Sequence, residues 1–266
     1  MSDNNGTGEI KSGPKFMSKA DMEKKLMRRF YKDVGIEKTD NGFSVQLDGK
    51  SIKTPVKNPL VIPSKPLALA IADEWDAQEE HIDPANMLLT KLANTAIDRV
   101  KGREDTIILE IAGYISSDLL CYRSESPQEL FQKQCEAWDP VLAMFEEKLD
   151  IRLKTIAGII HVEQPELSIN NAKGHLENFD VYELSALHNM TSMLGSAVLA
   201  IAHANNYLDL QKTWEIAHVD EDWQVAQWGS DEEAEARRAI RYKEMQITSR
   251  FLELNRSSGQ MEVPSG

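Results

Sequence analysis

Carboxylates, histidines, cysteines and indoles are the residues of this chain that could do chemistry, and their spacing decides which chemistry. The acids run in clusters: Asp73/Glu74, Glu79/Glu80, Asp220/Glu221/Asp222 and Asp231/Glu232/Glu233. Two carboxylates act as acid and base only where their surroundings separate their pKa values, and runs like these are ordinarily solvated helix faces. The six histidines, His81, His161, His175, His188, His203 and His218, form no H-E-x-x-H and no short Cys/His group, so no metal site is expected. Cys121 and Cys135 have no second pair beside them and read as buried thiols in a reducing compartment. There is no G-x-x-x-x-G-K-[ST], no G-x-G-x-x-G after a strand and no G-x-S-x-G, so no cofactor is expected.

The indoles are the more telling signal. ADEWDAQEEHIDP sets Trp75 among acids, CEAWDPVLAMFEE sets Trp138 beside Asp139, and VDEDWQVAQWGSDEEAEARR does the same for Trp223 and Trp228. An indole flanked by carboxylates fits two roles. It anchors a core while its charged neighbours face water, or it anchors a basic or amphipathic partner surface, with aromatics supplying contact energy and charges selecting the partner. Trp223 and Trp228 are five residues apart and cannot both face one line of core.

These residues need elements to position them. The alternating segment FSVQL, followed by Asp48-Gly49 and KSIKTP, reads as a β-hairpin, because a type I′ turn needs positive φ at both central residues. RRFYKDVGIEK before it and NPLVIP after it are candidates for further short strands. From Ser64 the period changes to that of a helix: Ser64 is the expected N-cap, Pro66 lies in the first turn, and Leu67, Ile71 and Trp75 follow at four-residue steps. Trp75 is therefore expected on the buried stripe, with Asp76 at its margin. Helical spacing continues from residue 86, and Ser126, Pro127 and Glu129 mark one clear helix start. IRLKTIAGIIHVEQP reads as an irregular connection. Residues 184 to 204 carry no Asp, Glu, Lys or Arg but contain His188, Asn189, Thr191, Ser192, Ser196 and His203. So many polar groups argue for a buried helix of a globular domain rather than a membrane span, with Gly195, Ser196, Ala197 and Ala200 offering a neighbouring helix close approach. Further helical blocks are expected over 209 to 226 and 231 to 254.

The expected fold class is α+β, a small N-terminal antiparallel β domain followed by a larger all-α C-terminal domain. The boundaries read as a flexible leader over 1–27, the β-rich part over 28–66, the helical part over 67–256 and a flexible tail over 257–266. The 266 residues, 41% of them apolar, are enough for a core without staples. A formal charge of -13 opposes binding to nucleic acid or anionic lipid, which requires clustered Lys and Arg. The N-terminal stretch lacks an apolar h-region and carries Asp3, Glu9 and Asp21, unlike a secretory or organelle signal.

The succession RRFYKDV, VQLDGKSIKTPVKNPLVIPS and LALAIADEWDAQEEHIDPANMLLTKLANTAID resembles the family of chaperones that handle the alpha subunit during F1-ATPase assembly in mitochondria and alphaproteobacteria. SDLLCYR, WDPVLAMF, LHNMTSMLGSAVLAIA and EDWQVAQWG extend the resemblance to about residues 28 to 254. It implies a non-enzymatic protein that binds unassembled F1 ATP synthase alpha subunit until beta subunit replaces it. It also implies a partner site that includes Trp75 and Asp76 of the EWD motif and an acidic residue further on, Glu221 first and Glu233 second. No sustained heptad argues for a coiled-coil dimer, and a monomer is expected. The histidine-free WGSDEEAEARR points to a bacterial, cytoplasmic member, whereas eukaryotic relatives would work in the mitochondrial matrix. Two other functions compete on the residues alone: an enzyme or small-molecule binder with an acidic interdomain cleft, and a general holdase without client selectivity.

Overall fold

A computed structural model describes residues 26–257, so the leader over 1–27 and the tail over 257–266 fall almost wholly outside the described residues. The described residues begin with strands β1 (Met27–Arg28), β2 (Val34–Thr39), β3 (Gly42–Leu47), β4 (Lys50–Ser51) and β5 (Val61–Ile62). Helix α1 (Lys65–Asp76), strand β6 (His81–Ile82), helices α2 (Leu88–Thr95) and α3 (Glu104–Ser116), strand β7 (Tyr122–Arg123), helix α4 (Gln128–Leu149) and strand β8 (Ile156–Ala157) follow. Helices complete it: α5 (Glu166–Leu176), α6 (Val181–Leu194), α7 (Ala197–Ala204), α8 (Leu210–Ala217), α9 (Val219–Trp228) and α10 (Glu232–Arg256). This is the expected α+β arrangement, a small antiparallel sheet and then helices.

The sheet is built on β3. β2 runs antiparallel to it from Val34 opposite Leu47 to Thr39 opposite Gly42. β4 folds back with Leu47 opposite Lys50, and the intervening Asp48 and Gly49 have φ of 48° and 74°, the left-handed pair that a two-residue hairpin requires. β5 adds to the other end, Phe43 opposite Ile62. At that point Gly42 has φ 139°, and a β-carbon there would collide with the Ile62 carbonyl, so only glycine lets β5 close. Val45, Leu60 and Ile62 are buried in one continuous core with the helices, and α1 lies across β2 and β3. Ser64 caps α1 by accepting from the Leu67 amide at 3.4 Å, and its hydroxyl donates to the Leu254 carbonyl near the end of α10.

The uncharged run 184–204 is not one helix. Gly195 (φ 64°) ends α6 in the left-handed conformation, and Ser196 starts α7 by accepting from the Leu199 amide at 3.0 Å. Both residues make a corner rather than a close-packing face. The corner is held by Asp118, which is wholly buried and accepts from Ser196 Oγ at 2.7 Å and from the amides of Val198 and Leu120, each at 3.1 Å. Burial pushes its carboxyl up to about 6, against the pull of these donors. The block 209–226 likewise divides, at His218, whose ring stacks on Trp214 at 3.8 Å between α8 and α9. α6 occupies the middle, touching α2, α3, α7 and α10. Among the described residues no helix is long and apolar enough to cross a membrane.

His203 joins α7 to α10. Its Nδ1 lies 3.1 Å from the Leu208 carbonyl, which can only accept, so Nδ1 carries the proton and Nε2 accepts from Ser249 Oγ at 2.8 Å. Burial lowers its pKa below the ordinary value of 6.5. A lowered histidine contributes stability that is complete above about 6.5 and is lost as pH falls through the folded value, because protonated Nε2 can no longer accept. We therefore expect Tm to fall between pH 7.5 and pH 5.5, and to fall less in His203→Gln. Equal losses in the two proteins would remove His203 as the cause.

Candidate functional site

Trp75 continues the stripe of Leu67 and Ile71 to the last turn of α1. Its ring is half-buried and packs against both the main core and a smaller cluster of Tyr31, Leu47, Ile82 and Met87. Tyr31 approaches it edge-on with ring centroids 5.9 Å apart and donates its hydroxyl to the Trp75 carbonyl at 2.7 Å. The indole Nε1 is buried with no acceptor among the described residues.

The end of α1 is closed by Arg29. Its guanidinium donates to the carbonyls of Asp76 and Gln78, satisfying carbonyls that the helix leaves open, and pairs with the Asp76 carboxylate at 3.0 Å. It also lies 4.6 Å from the centre of the Tyr31 ring. Asp76 nevertheless keeps 67% of its side chain exposed. Beside it Phe30, 66% exposed, stacks edge-on against Tyr31, and Met27 is exposed as well. Asp76 of the EWD motif therefore presents a charge, and the β1 segment that Arg29 ties to it presents two apolar side chains. Phe30, Arg29 and Tyr31 were not identifiable from sequence, because their role depends on a strand pairing, Arg28 opposite His81, across more than fifty residues.

Glu74, between Asp73 and Trp75, turns inward. Its carboxylate accepts from the Leu89 and Thr90 amides at 2.7 and 2.8 Å and from Thr90 Oγ1 at 2.8 Å, which caps α2 in place of Met87, a residue with no side-chain cap. Burial raises its pKa while these donors oppose the rise. Asp73, Glu74, Glu79, Asp83 and Arg250 line an open groove of about 580 Å³ beside α1. Among the described residues no three His, Cys, Asp or Glu converge to hold a metal. The Cys121 thiol is buried and pushed up to about 12, which leaves it inert.

The two later candidates lie elsewhere. Glu221 sits in the first turn of α9, half-exposed and 3.9 Å from His218 Nε2, where burial lowers the histidine pKa. Glu233 is in the first turn of α10, exposed and paired with Arg237 at 2.6 Å. α9 rests on α4, whereas α1 packs against the sheet and α10. The groove beside Glu74 reaches α10 only at Ile247 and Arg250. Residue 233 is fourteen positions earlier on that helix, roughly 21 Å along its axis. The structure thus joins Trp75 to Asp76 and sets Glu221 and Glu233 on adjoining helices, but it does not unite the two pairs. Trp138, the other acid-flanked indole, is wholly buried, donates to the Ile216 carbonyl at 2.9 Å and lies under Arg123, which pairs with Asp139 at 2.6 Å.

Comparison with known proteins gives a consistent picture. A family model described as ATP12 chaperone protein matches residues 28–146. The crystal structure of Atp12 from Paracoccus denitrificans is 37% identical, with a TM-score of 0.82, over 86% of this chain and 99% of that one. The Atu1473 protein of Agrobacterium tumefaciens is 43% identical, with a TM-score of 0.83, over 88% of each chain. Protein atp12, mitochondrial, of Schizosaccharomyces pombe is 27% identical over 219 residues, 78% of this chain and 75% of that protein.

Proposed function

The chain belongs to the ATP12 chaperone family, and from that premise we propose that it binds unassembled alpha subunit of F1 ATP synthase and shields it until beta subunit takes its place. The observation that carries this reading is the similarity in fold and sequence to Atp12 along almost the whole of both chains, sheet and helices alike. A lone alpha subunit exposes the apolar surface it will bury against beta, and such a surface aggregates. A shield that must later yield needs a few anchors set among charges, on the order of micromolar to nanomolar affinity. Phe30 and Met27 beside the Arg29–Asp76 pair have that character. The role requires no catalysis. The proposed compartment is the bacterial cytoplasm, in keeping with the higher identity to the two bacterial proteins than to the yeast one.

Co-expression with alpha subunit in the absence of beta, followed by size-exclusion chromatography, tests the proposal. Alpha is expected in a soluble complex that dissolves when beta is added; alpha that stays insoluble with nothing co-eluting rules it out. Asp76→Ala and Glu221→Ala are each expected to weaken that complex by about five- to tenfold. The Asp76 carboxylate is largely and the Glu221 carboxylate half solvated, so Tm should move by no more than about 2 °C. Wild-type affinity in both variants would remove these residues from the contact.

A further inference from the structure

Helix α9 is unusual in burying none of its ten residues. It is held from two sides: Asp220 accepts from Gln134 of α4 at 2.7 Å, and Asp222 pairs with Arg238 of α10. The side turned away from both supports carries Glu221, Val225 and Trp228, spaced four and then three residues apart and so aligned on one face. Trp228 is 75% exposed, and Trp223 meets it edge-on at 5.6 Å. From Val219 to Glu235 the chain contains seven acids, Asp220, Glu221, Asp222, Asp231, Glu232, Glu233 and Glu235, and no Lys or Arg.

We infer that the Glu221–Val225–Trp228 face of α9 is a docking surface for a basic amphipathic helix of the client protein. The spacing supplies two apolar anchors with a carboxylate one turn away, which an amphipathic helix meets with an apolar stripe flanked by Lys or Arg. Charge decides among occupants. Arg238 and Arg237 match Asp222 and Glu233 within the chain, and the remaining acids leave a negative excess beside the face. A second copy of this chain would set that excess against its own like, and an acidic or purely apolar segment would leave it unmatched. The inference rests on the chaperone reading only for the identity of the client.

A fluorescein-labelled Lys/Leu amphipathic peptide and its Glu/Leu counterpart, titrated against the full chain by anisotropy, test the surface beside co-purification with alpha subunit. The Lys/Leu peptide is expected to bind and the Glu/Leu peptide not to bind. Trp228→Ala, which alters no charge, should weaken binding at least about tenfold. Glu221→Gln should weaken it about threefold, more than Glu166→Gln, a charge-matched change on α5. Peptide binding that is indifferent to Trp228→Ala, or its absence in the wild type, overturns the inference; an alpha complex that forms normally in that case leaves the chaperone reading standing. Trp228-dependent peptide binding without an alpha complex supports the surface and discards the client.

Discussion

Replacing Asp118 by alanine is expected to lower folding stability by about 3–5 kcal/mol, a large share of what a chain of this size possesses. The carboxylate is wholly buried, and three donors point at it: Ser196 Oγ and the amides of Val198 and Leu120. Alanine leaves all three without a partner in a space closed to water, and it removes the negative charge from the start of α7, where the helix dipole favours one. Asp118→Asn keeps the size and one acceptor and should lose roughly half as much. Urea titration followed by far-UV circular dichroism reads both values. A loss below about 1 kcal/mol for the alanine variant would falsify the claim that this carboxylate holds the α6–α7 corner.

Trp75→Ala is expected to cost about 3 kcal/mol, somewhat less than a fully buried indole because the ring is half-exposed. The damage should concentrate where Trp75 joins two clusters, loosening Tyr31 and β1 from α1. Trp75→Phe, by contrast, should stay within about 1 kcal/mol of the wild type. It keeps most of the packing and removes an indole N–H that is buried without an acceptor among the described residues. Tm falling by roughly 10 °C for alanine and by about 3 °C or less for phenylalanine is the expected pattern. If both remain folded at 20 °C, alpha-subunit affinity should follow Asp76, not Trp75; an affinity loss in folded Trp75→Phe would make the indole itself a contact.

Local signals in the sequence proved good guides where the structure depends on local geometry. Asp48-Gly49 specifies its own turn, Ser64 caps the helix beside it, and the four-residue step from Leu67 places Trp75 without knowledge of any other element. The helix break at residue 195 was hidden because hydropathy does not register φ. An uncharged stretch reads as continuous even when a glycine within it turns left-handed. Asp118 and Glu74 were hidden for another reason: each looks like an ordinary surface acid until residues 78 and 15 positions away bring it donors. At the candidate site the EWD residues were legible and their partner Arg29 was not, since 47 positions separate it from Asp76.

The hydrogen bond from Ser64 to Leu254 ties the start of α1 to the end of α10, across 190 residues. Asn255 and Arg256 extend the tie to Asp180 and Glu183 at the start of α6. These residues are synthesised after every other described element. Until they have been made, the faces of α1, α2 and α6 that α10 covers have nothing to pack against, so the core cannot close before α10 is complete. Nascent chains of this protein therefore pass through an open stage, and a truncation before residue 245, which removes Met245, Phe251 and Leu252 from the core, would hold them there.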